Sequence, residues 1–275
     1  MRSDPTPWCR TTINHVGAAD VSAMEVDIFN GRDTEPAFDA EGFELCDFPS
    51  WVTDWTDPVE VKRVHQPEVA AWVTERFGCD AVLFYPGIVR SPDAAEQSSD
   101  LGPIEVAHSD YSERYSPMLA TPDHPYLDIL AESMEAAGVT RGALAAADRV
   151  LTVQFWRNIG AARPDRPLAL CDGRTVDRSE FVEYEVATYG GRPAGFESLL
   201  LMAADGAAGH DRRRWATFPE MSPDEVIVFR AYDSDCAAAG EPFWTPHAAF
   251  VDPTADADAP KRMSFEIRAI CLFGL

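Results

Sequence analysis

The chain has no long hydrophobic run; nowhere do about 18 apolar residues follow one another, the length a membrane-spanning helix needs. Its first residues, Met1-Arg2-Ser3-Asp4-Pro5-Thr6-Pro7, carry no apolar core of the secretion-signal type. Cations are scarce. Lys and Arg number 23 against 46 Asp and Glu, a net charge of -23, which argues against a phosphate backbone as partner. The bland role of such a charge is to keep the protein in solution. Cysteine is unpatterned: Cys9, Cys46, Cys79, Cys171, Cys236 and Cys271 are scattered, with no C-x-x-C. Several sit in apolar runs. We therefore expect reduced, mostly buried thiols in a cytoplasmic protein, and neither a disulfide frame nor a zinc site. Repeats and low-complexity linkers are missing as well. The absences together point to a protein with neither nucleic acid nor membrane as partner; we expect a monomer or homodimer.

What is present is a chain of 275 residues, 46% of them hydrophobic, enough to bury a full core as one domain. Strand-like runs recur between clusters of Pro, Gly and Asp, at 25–29, 81–85, 104–110, 150–159, 167–171, 225–232, 245–251 and 262–273. Apolar spacing predicts helices over 58–77 and 126–137, and a third over 140–147. Strands outnumber helices. The expected fold is mainly β, a double-stranded β-helix (jelly roll, cupin-like) flanked by α-helices, with a β-sandwich as the neighbouring possibility. We expect a single domain over 1–275: about 1–80 an N-terminal extension packing on the barrel, about 80–275 the β-helix core.

The chemistry is carried by three groups. His108-Ser109-Asp110 ends the run 104–110, and it is the one H-x-D or H-x-E in the chain. Residues two apart on a strand share a face, so both side chains can enter one cavity. A lone His247 lies far downstream in an aromatic segment, Phe243-Trp244-Thr245-Pro246-His247. Two imidazoles and one carboxylate form the facial triad that holds Fe(II) and leaves coordination positions open. Taken singly, His108 and Asp110 fit a surface turn, and His247 fits a packed core histidine.

Arg262-Met263-Ser264 opens the last strand, on which Arg262, Ser264, Glu266 and Arg268 alternate with Met263, Phe265 and Ile267. A planar guanidinium binds a carboxylate through two hydrogen bonds, and a hydroxyl adds a third. Arg262 with Ser264 is therefore the expected seat for the far carboxylate of 2-oxoglutarate. Arg268 competes for that role. Arg157, which shares a strand face with Val153 and Phe155, is a third cation expected to face the cavity. Asp172, Tyr232, Asp233 and Ser234 follow apolar runs and are read as strand-end turn residues. Phe243 and Trp244 are read as core. Arg212-Arg213-Arg214 is expected in a solvated loop, and 252–258 in an exposed one.

In these segments the chain resembles the iron- and 2-oxoglutarate-dependent oxygenases. More narrowly, it is similar to the group of the cephalosporin 7α-hydroxylase component and the fungal gibberellin desaturase-like enzymes. The resemblance is carried by Val106-Ala107-His108-Ser109-Asp110, by Pro246-His247-Ala248-Ala249-Phe250-Val251-Asp252-Pro253, and by Ala259-Pro260-Lys261-Arg262-Met263-Ser264-Phe265-Glu266-Ile267-Arg268. Segments at 155–160, 166–172, 215–226 and 232–234 add to it, so that it covers about 80–275. It implies a double-stranded β-helix, iron on His108, Asp110 and His247, and a C-terminal Arg for 2-oxoglutarate. It also implies a reaction that consumes O2, releases succinate and CO2, and hydroxylates, desaturates or cyclises a small secondary metabolite. Two other readings fit the residues: a non-oxidative metal enzyme (hydrolase or isomerase) on the same barrel, which would not need Arg262, and a non-catalytic binding barrel.

Overall fold

Alternation of inward and outward side chains builds two sheets in the computed structural model, which describes residues 6–17, 20–189, 192–203 and 210–275. Its strands are β1 (Cys9–Val16), β2 (Val21–Asn30), β3 (Phe43–Asp47), β4 (Ala81–Phe84), β5 (Ile88–Arg90), β6 (His108–Ser109) and β7 (Arg149–Asn158). They continue with β8 (Leu168–Cys171), β9 (Phe181–Tyr189), β10 (Arg192–Leu201), β11 (His210–Thr217), β12 (Glu225–Asp233), β13 (His247–Ala249) and β14 (Ser264–Phe273). One sheet has the order β1-β2-β11-β8-β13-β6-β10-β9; the other runs β3-β12-β7-β14-β4, with β5 also on β14. Neighbours within a sheet come from distant parts of the chain, as in a double-stranded β-helix. The mainly-β expectation holds.

The central strands β7 and β14 pair antiparallel over ten positions, from Ser264↔Asn158 to Phe273↔Arg149. Both of their faces are buried. One face, with Val153, Phe155, Phe265 and Ile267, packs under the helix Pro58–Phe77. That helix begins where Asp57 accepts from Val59 N and Pro58 fills the first turn; it ends at Gly78, whose φ of 70° suits a residue without a Cβ. Val61, His65, Val69 and Val73, four apart, form its buried stripe. Val59, in its first turn, is exposed. The other face of β7 and β14 looks toward the first sheet and the cavity.

Several boundaries differ from expectation. The run 104–110 forms a strand only at His108–Ser109. Before it the backbone bonds irregularly, Ala107 N to Asn14 O and Ala249 N to Ile104 O. The helix expected over 126–137 is a 3-10 turn, Pro125–Leu130, followed by the helix Ala131–Ala137. The third helix is Arg141–Ala146. Arg212-Arg213-Arg214 is not a loop but part of β11. Arg213 points inward there, 2.7 Å from Glu180 and 3.4 Å from Asp211, while Arg212 and Arg214 face out. An ion-paired inward Arg mimics a solvated run in sequence. From the first eighty residues β1 and β2 join one sheet and β3 joins the other, while the helix Pro58–Phe77 packs against the second sheet. The six cysteines are unpaired, and Cys9, Cys79, Cys171 and Cys271 are buried.

Candidate metal centre and its cavity

The register of β6 and β13 sets His108 directly opposite His247, with ring centroids 4.3 Å apart. Asp110 follows β6 on the same side, as the period of two requires. Its backbone carbonyl accepts from Ser198 Oγ at 2.9 Å, which anchors the turn. His108, Asp110 and His247 each offer a ligand atom, and these atoms lie within 4.8 Å of one another. Ser109, between the two, points into the opposite core and is fully buried.

Both rings are oriented in the same way. His108 Nδ1 lies 2.8 Å from Val106 O, and His247 Nδ1 lies 3.0 Å from Thr245 O. Each Nδ1–H donates to its carbonyl, so each Nε2 is left with a lone pair for a metal. Burial, with His247 beside it, pushes the His108 pKa down to about 3. Burial lowers His247 as well, against the pull of Asp110. Neutral imidazole is the ligating form. Burial alone would raise the Asp110 carboxyl; the Arg268 guanidinium outweighs it and holds the group well below the usual carboxylate range. Two neutral imidazoles and an ionised carboxylate, open on one side to a cavity, are a donor set that fits Fe(II).

The cavity is about 510 Å³ and lies between the sheets. Apolar and phenolic groups dominate its walls, among them Val106, Tyr111, Tyr126, Trp156, Phe196 and Phe229. Phe229 packs on His247, centroids 4.8 Å apart. Phe243 and Trp244 belong to the core cluster, the role expected for them. Asp172 and Asp233 accept from backbone N–H groups just beyond their strands, again as expected.

The arginines divide sharply. Arg262 lines the cavity and is nearly fully buried. Its Nη1 donates to Arg166 O at 3.2 Å and its guanidinium lies 5.8 Å from the Trp156 ring centroid, but Nε has no partner. No ion pair to a carboxylate forms at Arg262 among the described residues. Burial, followed by repulsion from Arg90, pushes its pKa down to about 10. Arg268 also reaches the cavity, but its Nε and Nη2 donate to Asp110 at 3.1 and 3.0 Å. Ser264 is fully buried with an unpartnered hydroxyl, and it stands outside the cavity wall.

Arg157 is not brought to the cavity, which corrects the sequence reading. Its Nη2 donates to Phe48 O at 2.6 Å, Nη1 donates to Pro223 O, and the group stacks 5.0 Å from the Trp55 centroid. Val153 and Phe155 do face inward, but toward the layer under the helix Pro58–Phe77. Trp156, of the opposite parity, lines the cavity.

Sequence reading missed Arg90. It closes β5, lines the cavity, and pairs with Glu266 at 2.8 Å. Nothing in Ile88–Arg90 distinguishes this residue from a charge at the end of a surface strand.

A family profile described as oxidoreductase/YMDC permease-like domain matches residues 6–272. The alpha-ketoglutarate-dependent dioxygenase phiK of a fungal species is 26% identical over 268 residues, covering 92% of this chain and 85% of that protein. The hydroxylase/desaturase asaB of Aspergillus flavus is 30% identical over 136 residues, 44% of this chain and 54% of its own. Among solved structures, the iron and alpha-ketoglutarate-dependent endoperoxidase NvfI superimposes with a TM-score of 0.72 at 18% identity, covering 98% of this chain and 99% of that one. At that identity the likeness speaks for the fold.

Proposed function

Since the chain belongs to the oxidoreductase/YMDC permease-like domain family, we propose that it is an Fe(II)/2-oxoglutarate-dependent oxygenase of small secondary metabolites. Its similarity to the dioxygenase phiK along nearly the whole chain supports this reading. The observation that carries it is the meeting, in one cavity, of the His108/Asp110/His247 group with the unpaired Arg262. Iron would be held by those three residues. The distal carboxylate of 2-oxoglutarate would be held by Arg262, whose buried guanidinium makes no ion pair among the described residues; a buried charge without a close partner is costly until a ligand supplies one. A hydrolase or isomerase on the same triad leaves Arg262 without a purpose, and a packing role leaves both Nε2 atoms unexplained.

With iron, 2-oxoglutarate and O2 bound, the site supplies an oxidant for a substrate C–H bond, and succinate and CO2 leave. The protein's own part is to bind, orient and exclude water. The carbonyls of Val106 and Thr245 hold the imidazoles in one tautomer. The apolar and phenolic walls present the substrate, so hydroxylation, desaturation or cyclisation is decided by which bond they place near the iron.

Residues 1–275 act as one oxygenase domain, as a monomer or homodimer, on a small molecule and not on nucleic acid; the net charge of -23 supports the last point. Among the described residues no helix is long and apolar enough to cross a membrane. Six unpaired cysteines support a cytoplasmic setting.

The test is anaerobic addition of Fe(II) and 2-oxoglutarate, followed by O2. A visible charge-transfer band, then 2-oxoglutarate-dependent formation of succinate, is the expected result. Neither band nor succinate, in protein that is folded, would overturn the proposal.

A further inference from the structure

Four buried charges run in a line behind the metal group. Arg90 Nη2 lies 2.8 Å from Glu266 Oε1, and that oxygen lies 3.8 Å from Arg268 Nη2. Arg268 in turn donates from Nε to Asp110 Oδ2 at 3.1 Å and from Nη2 to Oδ1 at 3.0 Å. Asp110 Oδ1 is also the oxygen 3.9 Å from His247 Nε2, so it faces the ligating nitrogens. We propose that Arg268 is a positioning residue for the metal, acting through Asp110, and that Glu266 and Arg90 hold it there. None of the three then binds the co-substrate. The inference rests on the iron reading of the site.

The physical case is one of geometry and charge. A carboxylate on a short side chain can turn about its last bond. Two parallel bonds from a guanidinium fork fix the plane of the group, which one bond cannot do. An ionised carboxylate has about four lone-pair sites. Arg268 takes one on each oxygen, so Oδ1 keeps one for a metal. The backbone beneath is held independently by Ser198.

The line also balances: two guanidiniums face two carboxylates, so Arg268 is not buried as a lone cation. Its outer end is anchored on backbone. Arg90 Nη1 donates to Asp100 O at 2.7 Å and to Gly102 O at 2.9 Å. Arg90 and Arg268 are thus both committed to internal carboxylates. A carboxylate ligand entering the cavity meets Arg262 as the cation without one among the described residues. The rival idea is that Arg268 blocks Asp110 and competes with the metal for it.

The experiment measures two affinities separately. Fe(II) affinity is read anaerobically by competition with a chromogenic chelator, and 2-oxoglutarate affinity at saturating Fe(II). The proteins are the parent, Arg268→Gln, Arg268→Lys and Arg262→Gln. Arg268→Gln is expected to lose iron affinity about 10- to 100-fold, the usual cost of removing a partner of a metal ligand, with 2-oxoglutarate affinity within about threefold of the parent. Arg268→Lys keeps the charge without the fork; it is expected to lose iron affinity by at least about threefold, and it decides the matter if the Gln variant does not fold. Arg262→Gln should show the reverse pattern. Unchanged iron affinity in both Arg268 variants overturns the inference, as does a loss confined to 2-oxoglutarate. Tighter iron binding overturns it in favour of the competing role. A parent protein that takes no iron from the chelator overturns the iron reading itself, a different failure from any of these.

Discussion

His108 and His247 stand opposite each other across two antiparallel strands, and each donates from Nδ1 to the carbonyl two residues before it. The same local device thus aims two nitrogens from distant segments at one point.

From that relationship, His108→Ala and His247→Ala should each abolish stoichiometric iron binding while leaving a folded protein. Metal analysis after anaerobic loading, with circular dichroism alongside, checks it. Retention of parental iron by either variant would remove that residue from the ligand set.

Asp110 should behave differently. Asp110→Ala removes a proposed ligand and also strands the buried Arg268, whose remaining acid among the described residues is Glu266 at 3.8 Å. Breaking a buried pair from one side costs about 3–5 kcal/mol. We therefore expect this variant to lose iron and to unfold at markedly lower denaturant, and Asp110→Asn to lose iron with a smaller loss of stability. Denaturant titration of the metal-free proteins separates the two.

Arg262→Ala should weaken 2-oxoglutarate by about 1.5–3 kcal/mol, roughly ten- to a hundredfold, the size of a lost charge-assisted contact. Ser264→Ala should change it by less than about threefold, because the hydroxyl stands outside the cavity wall. Equal losses in titrations at saturating Fe(II) would put Ser264 in contact with the co-substrate after all.

Arg157→Gln should lower stability by about 1–3 kcal/mol, because the buried guanidinium's half-buried hydrogen bonds to the carbonyls of Phe48 and Pro223 are lost. Affinities for iron and 2-oxoglutarate should not move. A change in either affinity without a change in melting temperature would restore a functional role.

Acid should destabilise the metal-free protein. His108 is pushed from 6.5 down to about 3 by burial, and His65, under the outer helix layer, down to about 4 by the same cause. Between those values and about pH 6.5 the unfolded chain binds protons that the native state does not, so stability rises with pH and is lost as pH falls. Each histidine adds a slope of up to about 1.4 kcal/mol per pH unit. Unfolding measured at pH 7 and pH 5 should show the drop, and His108→Asn should reduce it. A slope of the opposite sign would contradict neutral, buried histidines.

Much was legible in the sequence where the information is local. Helix Pro58–Phe77 carries its own cap, its own proline start and its own glycine stop, and it is found where the spacing put it. The H-x-D spacing places both side chains on one side of any extended segment, and the structure keeps it. Strands β1, β3, β5, β9, β10 and β11 were not recognised; β11 reads as a solvated charged run because its inward Arg213 is paired with Asp211 of the same strand and with Glu180 far back in the chain.

The sequence by itself therefore determined the parity of His108 and Asp110 along the strand, the strand-rich class and the long helix, all of which follow from periods of two and 3.6. The tertiary structure alone decided the rest. Both faces of β7 and β14 are covered, so alternation could not tell the cavity face from the helix face, and Arg157 was read onto the wrong one. Three arginines take different parts because their partners lie in other segments of the chain: Asp110 for Arg268, Glu266 for Arg90, and among the described residues no paired carboxylate for Arg262. Register and pairing are made by hydrogen bonds between segments far apart in the chain, and no local period encodes them.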